Sequence, residues 1–208
     1  PVSPAAPDAE RPVEATVLAF IAIIAATALV AALGGLVSAG GADPWYQQLD
    51  KAPGTPPGFV FGVAWPTLYT LMAVGACMVW RAAGSWKRAD TALGLFFFQL
   101  APNLGWSLLF FRYHLPVPAL IDIVALWIMV AMMIREFHRH SKVAAQLQYP
   151  YLAWLTFAAY LNAWVVTGTA RYRTVLEETL DYVVRELRLP DGGLASAQDA
   201  DTNGVEGL

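Results

Sequence analysis

Charge and cysteine are scarce in this chain. Asp, Glu, Lys and Arg make up 14% of its 208 residues against 57% hydrophobic residues, and the mean hydropathy is +0.48. Soluble domains carry about a quarter charged residues, so the composition excludes an ordinary soluble domain and points to a membrane. The formal net charge of −3 is small and spread out, which excludes a nucleic-acid partner held by a basic face. The single cysteine, Cys77, excludes an internal disulfide and any multi-cysteine metal centre. It lies in an apolar run and reads as buried and inert. A basic leader is also missing. Acidic Asp8, Glu10 and Glu14 precede the first apolar run, which therefore reads as a retained helix rather than a secretion signal. The start at Pro1 suggests a fragment or a processed product. No Ser-His-Asp triad, phosphate loop or pair of carboxylates on one face appears.

What is abundant is long apolar sequence. Five segments, 16–39, 59–80, 91–111, 115–134 and 143–167, hold one charge between them, Asp122. Each has about 20 residues or more, enough at a helical rise to cross roughly 30 Å of hydrocarbon. Backbone groups in lipid must pair within their own segment, so these are predicted helices. The expected fold class is all-α and integral to the membrane. It is a five-transmembrane-helix bundle over 16–166, with an N-terminal extension over 1–15 and a soluble, partly helical tail over 167–208. Arg11, Arg81, Lys87, Arg88, Arg135, Arg139 and Lys142 fall on one side of such a bundle, and Lys51 and Arg112 on the other. That asymmetry predicts the N-terminus inside and the C-terminus outside. His138 and His140 are read as part of an exposed basic loop, and Asp122 as a shallow carboxylate one turn into the fourth helix.

The stretch 40–58 is rich in Pro and Gly without helical period, and a loop of this length suits a lid. The tail is polar and acidic. Tyr172, Val175, Leu176, Thr179, Val183 and Leu187 predict an amphipathic helix that "PDGG" ends. "DADTNG" matches the first half of a calcium loop, but its twelfth position falls beyond Leu208, so no metal is expected.

Within the third segment, Phe96, Gln99, Asn103, Trp106 and Phe110 step by three and four residues and share one helix face. Carboxamides in lipid need partners, so this stripe is predicted to face the bundle interior. Phe61, Trp65, Tyr69 and Met72 form a similar stripe in the second segment, and Trp154, Ala158 and Asn162 in the fifth. Two readings stay open. Gln99 and Asn103 are interhelical glue worth about 1 kcal/mol each, or the stripes line a pocket for a flat, largely apolar ligand. Pro102 predicts a kink in the third helix.

At these residues the chain resembles the TspO/translocator protein family, the tryptophan-rich sensory proteins. The resemblance covers about 16–163 and is carried by "WYQQLDKAPGTPPGFVFGVAWPTLYTLM", "QLAPNLGWSLLFF", "DIVALW" and "YPYLAWLTFAAYLN". It implies five transmembrane helices with a lid loop, and a receptor or carrier binding porphyrins such as protoporphyrin IX and haem as ligands rather than obligatory cofactors. Sterols and benzodiazepine-type compounds are implied for many members, and a homodimer through the third helix is implied too, where Gly94 and Gly105 permit close approach. Carried over by motif, the ligand-binding residues are Trp45 in the loop, Phe61 and Trp65, Gln99, Asn103 and Trp106, and Trp154 and Ala158. Some bacterial relatives are similar in degrading protoporphyrin in light. The alternative it implies is a photo-oxidative enzyme using Trp65 and Trp154.

The chain departs from that pattern in several places. "KAPGTPP" lacks the usual loop aromatics, Gly62 and Pro102 stand where Pro and Leu are usual, and the basic terminus of the fifth helix is missing after "LNAW". Tyr160 has no Lys or Arg in the next five residues, so the weak cholesterol pattern is not met. From about Tyr160 onward, "AYLNAWVVTGTARYRTVLEETLDYVVREL" and "PDGGLASAQDADTNGVEG" resemble instead a piece of thioredoxin-domain proteins with a six-hairpin glycosidase-type toroid. About 45 residues of a toroid have too little core to fold alone. The expectation is a fusion or chimera, including a nonfunctional one, with a genuine regulatory tail as the alternative.

Overall fold

A computed structural model describes residues 13–38 and 44–168, so the N-terminal extension and the tail, with its two motifs, lie outside the described residues. The described chain is helical: α1 Val13–Ser38, α2 Pro44–Gln48, α3 Gly58–Ala83, α4 Trp86–Ser107, α5 Pro116–His140, α6 Lys142–Gln146 and α7 Tyr149–Gly168. A π turn, Leu108–Arg112, continues α4. Large apolar side chains such as Leu18, Leu36, Phe59, Phe98 and Ile121 stand on the outside. Such a surface suits lipid and not water.

Four helices, α1, α3, α4 with its π turn, and α5, are long and apolar enough to cross a membrane. The sequence predicts five spans. The fifth helix, α7, has 20 residues and no charge, but Tyr, Trp and Asn side chains are interspersed along it and it is not among those four. Polar contacts bind it to the bundle: Trp127 Nε1 donates to Thr156 Oγ1 at 2.9 Å, and Tyr160 Oη donates to the Pro53 carbonyl at 3.3 Å.

The helices overrun the predicted spans because charge marks the edge of a bilayer, not the end of a helix. α3 runs through Arg81 to a left-handed Gly84, whose N–H bonds the Trp80 carbonyl, and Ser85 then caps α4 by accepting from the Arg88 N–H at 3.3 Å. α5 likewise continues to His140, so His138 and His140 occupy its last turn rather than a loop, where basic groups complement the exposed carbonyls. The predicted helix 143–167 is in fact two. Ser141 caps α6, the chain turns at Leu147 and Gln148, and Pro150, which has no N–H to donate, opens α7.

Pro102 does not interrupt α4, whose α-helical pattern runs through it. The wider turn falls later, where the Tyr113 N–H reaches the Leu108 carbonyl at 2.9 Å. Gly105 serves the chain's own packing. A Cβ there would lie 3.4 Å from Asp122 Oδ1 on α5, whereas one at Gly94 would meet nothing within 4 Å. Asp122 stands nearly two turns into α5, deeper than predicted, and its Oδ2 is buried without a hydrogen-bond partner.

Candidate functional site

The α4 stripe faces inward. Phe96, Gln99, Asn103, Trp106 and Phe110 are all buried, Gln99 completely. Its carboxamides meet partners from two other helices. Tyr69 Oη on α3 donates to Asn103 Oδ1 at 2.5 Å, Asn103 Nδ2 donates to Tyr151 Oη on α7 at 2.7 Å, and Tyr151 Oη donates to Gln99 Oε1 at 2.9 Å. Gln99 Nε2 completes the series against Met72 Sδ at 3.7 Å. A turn further along α4, Trp106 Nε1 donates to Asn162 Oδ1 at 3.1 Å, and Asn162 Nδ2 to the Pro116 carbonyl at 2.8 Å. Gln99 and Asn103, predicted as ligand contacts, therefore spend their polar atoms on helix–helix bonds and do not line the cavities below. In a medium without water an unpaired carboxamide is costly, and protein partners meet that requirement here.

Two cavities adjoin this network. One of about 560 Å³ lies under the loop and is lined by Tyr46, Lys51 and Thr55 from the loop and by Phe61, Trp65 and Trp106 from the bundle. The other, of about 480 Å³, lies among α1, α3 and α4 and is lined by Gly34, Gly35, Gly62, Trp65, Tyr69 and Ser107. Ser38, Gly58, Phe61 and Trp65 border both. A narrow extension of about 40 Å³ reaches Ala158 and Val165 on α7. Each of the two larger spaces falls in the range of ligand sites, roughly 300–1,000 Å³.

The predicted residues divide by position. Phe61, Trp65, Trp106 and Ala158 are on cavity walls. Trp154 stands behind the wall, edge-on to Phe61 at 5.5 Å and to Trp65 at 6.3 Å between ring centroids, with its Nε1 buried and unpartnered. Trp45 holds the loop down. Its ring stacks on His114 at 4.3 Å and meets Phe110 edge-on at 5.5 Å. His114 has a left-handed backbone, φ 55°, uncommon for a residue with a side chain.

Sequence reasoning missed Tyr46, Lys51 and Phe111, all cavity-lining, and Tyr151, the fully buried centre of the polar network. Tyr46 follows from α2, a one-turn helix inside a stretch that reads as loop. Trp45 and Tyr46 sit about 100° apart on it and so take different partners. Burial pushes the Tyr46 phenol above its ordinary value, so it stays neutral. Lys51 Nζ lies 5.0 Å over the Tyr46 ring and donates to the Gln47 carbonyl at 3.2 Å. Among the described residues no group of three His, Cys, Asp or Glu side chains is placed to hold a metal. The arrangement suits non-covalent burial of a flat apolar body between aromatic faces.

The family model for TspO/MBR matches residues 20–167. The translocator protein of Bos taurus is 40% identical over 139 residues, covering 64% of this chain and 82% of that protein. The tryptophan-rich protein TspO of Archaeoglobus fulgidus is 37% identical over 146 residues, covering 70% and 94%. The tryptophan-rich sensory protein of Cereibacter sphaeroides is 35% identical over 143 residues, covering 69% and 86%.

Proposed function

This chain belongs to the TspO/MBR family of integral membrane proteins, and on that premise we propose that it is a receptor or carrier for porphyrins, such as protoporphyrin IX or haem, or similar flat apolar ligands. What supports this reading most is the chamber under the loop, where Phe61, Trp65 and Trp106 face one space of about 560 Å³. Indole and phenyl faces suit stacking on a macrocycle. On the orientation that the loop charges predict, Lys51 and its loop lie outside, on the side with fewer Lys and Arg residues. Binding there has regulation or transfer of a tetrapyrrole as its consequence.

Titration of the detergent-solubilised chain with protoporphyrin IX, read by tryptophan quenching, tests this beside Phe61→Ala. Phe61 borders all three cavities and its removal leaves every tryptophan in place. Saturable quenching, weakened about tenfold or more in the variant, is expected. Linear, unsaturable quenching in a well-folded sample removes the proposal.

A further inference from the structure

Among the described residues that line the three cavities, Lys51 alone carries a charge. It borders the chamber under the loop and the narrow extension. The residue is half-buried, and its head lies over the Tyr46 ring. An ammonium has three donors. One is spent on the Gln47 carbonyl, and among the described residues Lys51 has no ion pair. Its neighbour Asp50 is exposed. Every other lining residue is apolar, aromatic or a neutral polar group. A cation on an apolar wall is short of a counter-charge, and the shortage grows as the chamber fills and water leaves. A ligand that brings its own anion supplies that counter-charge at the place where it is worth most.

Resting on the porphyrin-type reading above, we propose that Lys51 reads an anionic edge of the ligand. The site takes a flat apolar body bearing a carboxylate, with the body against Phe61 and Trp65 and the carboxylate at the loop end beside Lys51, and it discriminates against neutral analogues of the same shape. The Tyr46 ring under the ammonium keeps the head at the cavity wall rather than in the headgroups.

The test compares protoporphyrin IX with its dimethyl ester, titrated against the full chain in an uncharged detergent and read by tryptophan quenching. The acid is expected to bind about tenfold tighter than the ester. Lys51→Met, which keeps the length of the stem, is expected to bring the two affinities together while leaving that of the ester unchanged. Lys51→Arg is expected to restore the preference. The unchanged ester affinity doubles as the control for folding. An acid-to-ester ratio that survives Lys51→Met overturns the assignment. So does equal binding of acid and ester by the unaltered chain, in which case the cavity remains a porphyrin site and Lys51 serves the lipid surface. Failure of both ligands to bind the folded chain overturns this inference together with the reading beneath it.

Discussion

Trp65 and Trp154 meet edge to face, with ring centroids 6.3 Å apart and planes at 80°. One borders the cavity and the other backs it. If the pair serves binding alone, Trp65→Phe/Trp154→Phe weakens porphyrin affinity, and illumination of either protein with protoporphyrin IX yields no new absorbing species. Light-dependent products formed by the unaltered chain and absent from the double variant would assign photochemistry to this pair.

Trp154 alone gives a different expectation. Its Nε1 is buried without a partner, and removing an unsatisfied donor is near neutral or stabilising. Trp154→Phe is expected to melt at the same temperature or higher in detergent. A fall of several degrees would mean that the packing of the indole on Phe61, Trp65 and Phe157, or a bond to its N–H, outweighs that gain.

Gln99 and Asn103 should matter for stability rather than for affinity. Asn103→Leu strips Tyr69 of its acceptor and Tyr151 of a donor, at a cost of about 1–2 kcal/mol. The melting midpoint falls, while porphyrin affinity below that midpoint stays within about threefold. Affinity lost at an unchanged midpoint would return these carboxamides to the ligand.

The glycines of α3 divide into two kinds. A Cβ at Gly62 meets nothing within 4 Å, whereas one at Gly75 runs into Gln148 Nε2 and lies 3.1 Å from the Ala144 carbonyl. Gln148 Nε2 there donates to the carbonyls of Leu71 and Ala144, both at 3.2 Å. Gly75→Ala is therefore expected to destabilise the bundle. Gly62→Leu is expected to fill the cavity among α1, α3 and α4 with the midpoint unchanged, and to weaken binding only where the porphyrin extends past Phe61 and Trp65 into that cavity. Scanning fluorimetry and ligand titration on both variants check the contrast.

In the loop, Tyr46 contacts the cavity while Trp45 anchors α2 on His114 and Phe110. Tyr46→Ala should weaken binding with the loop still resistant to limited proteolysis. Trp45→Ala should make the loop between α1 and α3 the first site of cleavage. Equal protease resistance in both would remove the anchoring role.

The helices were legible because lipid forbids charge, and the inward face of α4 because carboxamides repeat at helical spacing. The partners of those carboxamides were not. Tyr151 lies 52 residues from Gln99, and nothing local to either residue announces the contact. α2 is a single turn, too short for a period, and opens on a Pro that also reads as loop. The break before α7 is hidden inside a continuous uncharged run, where only Pro150 hints at it. Of the predicted ligand residues, those on α3 faced the cavity because an amphipathic stripe has one inner side. Trp154 did not, because α7 is apolar all round and its stripe is not unique.

The polar network has a direction. A thioether can only accept, so Met72 fixes the amide end that Gln99 turns toward it, and with it the acceptor end offered to Tyr151. Tyr151 in turn fixes Asn103, and Asn103 holds the proton of Tyr69. Tyr69 is the member of this relay that borders a cavity. Its oxygen faces that space with lone pairs alone, so a guest there is welcome if it is greasy or carries an N–H or O–H. A carbonyl in the same spot finds no donor in Tyr69 and must turn to the Ser107 hydroxyl beside it. A sulfur atom three residues along α3 thus sets the chemical sign of a wall it never touches.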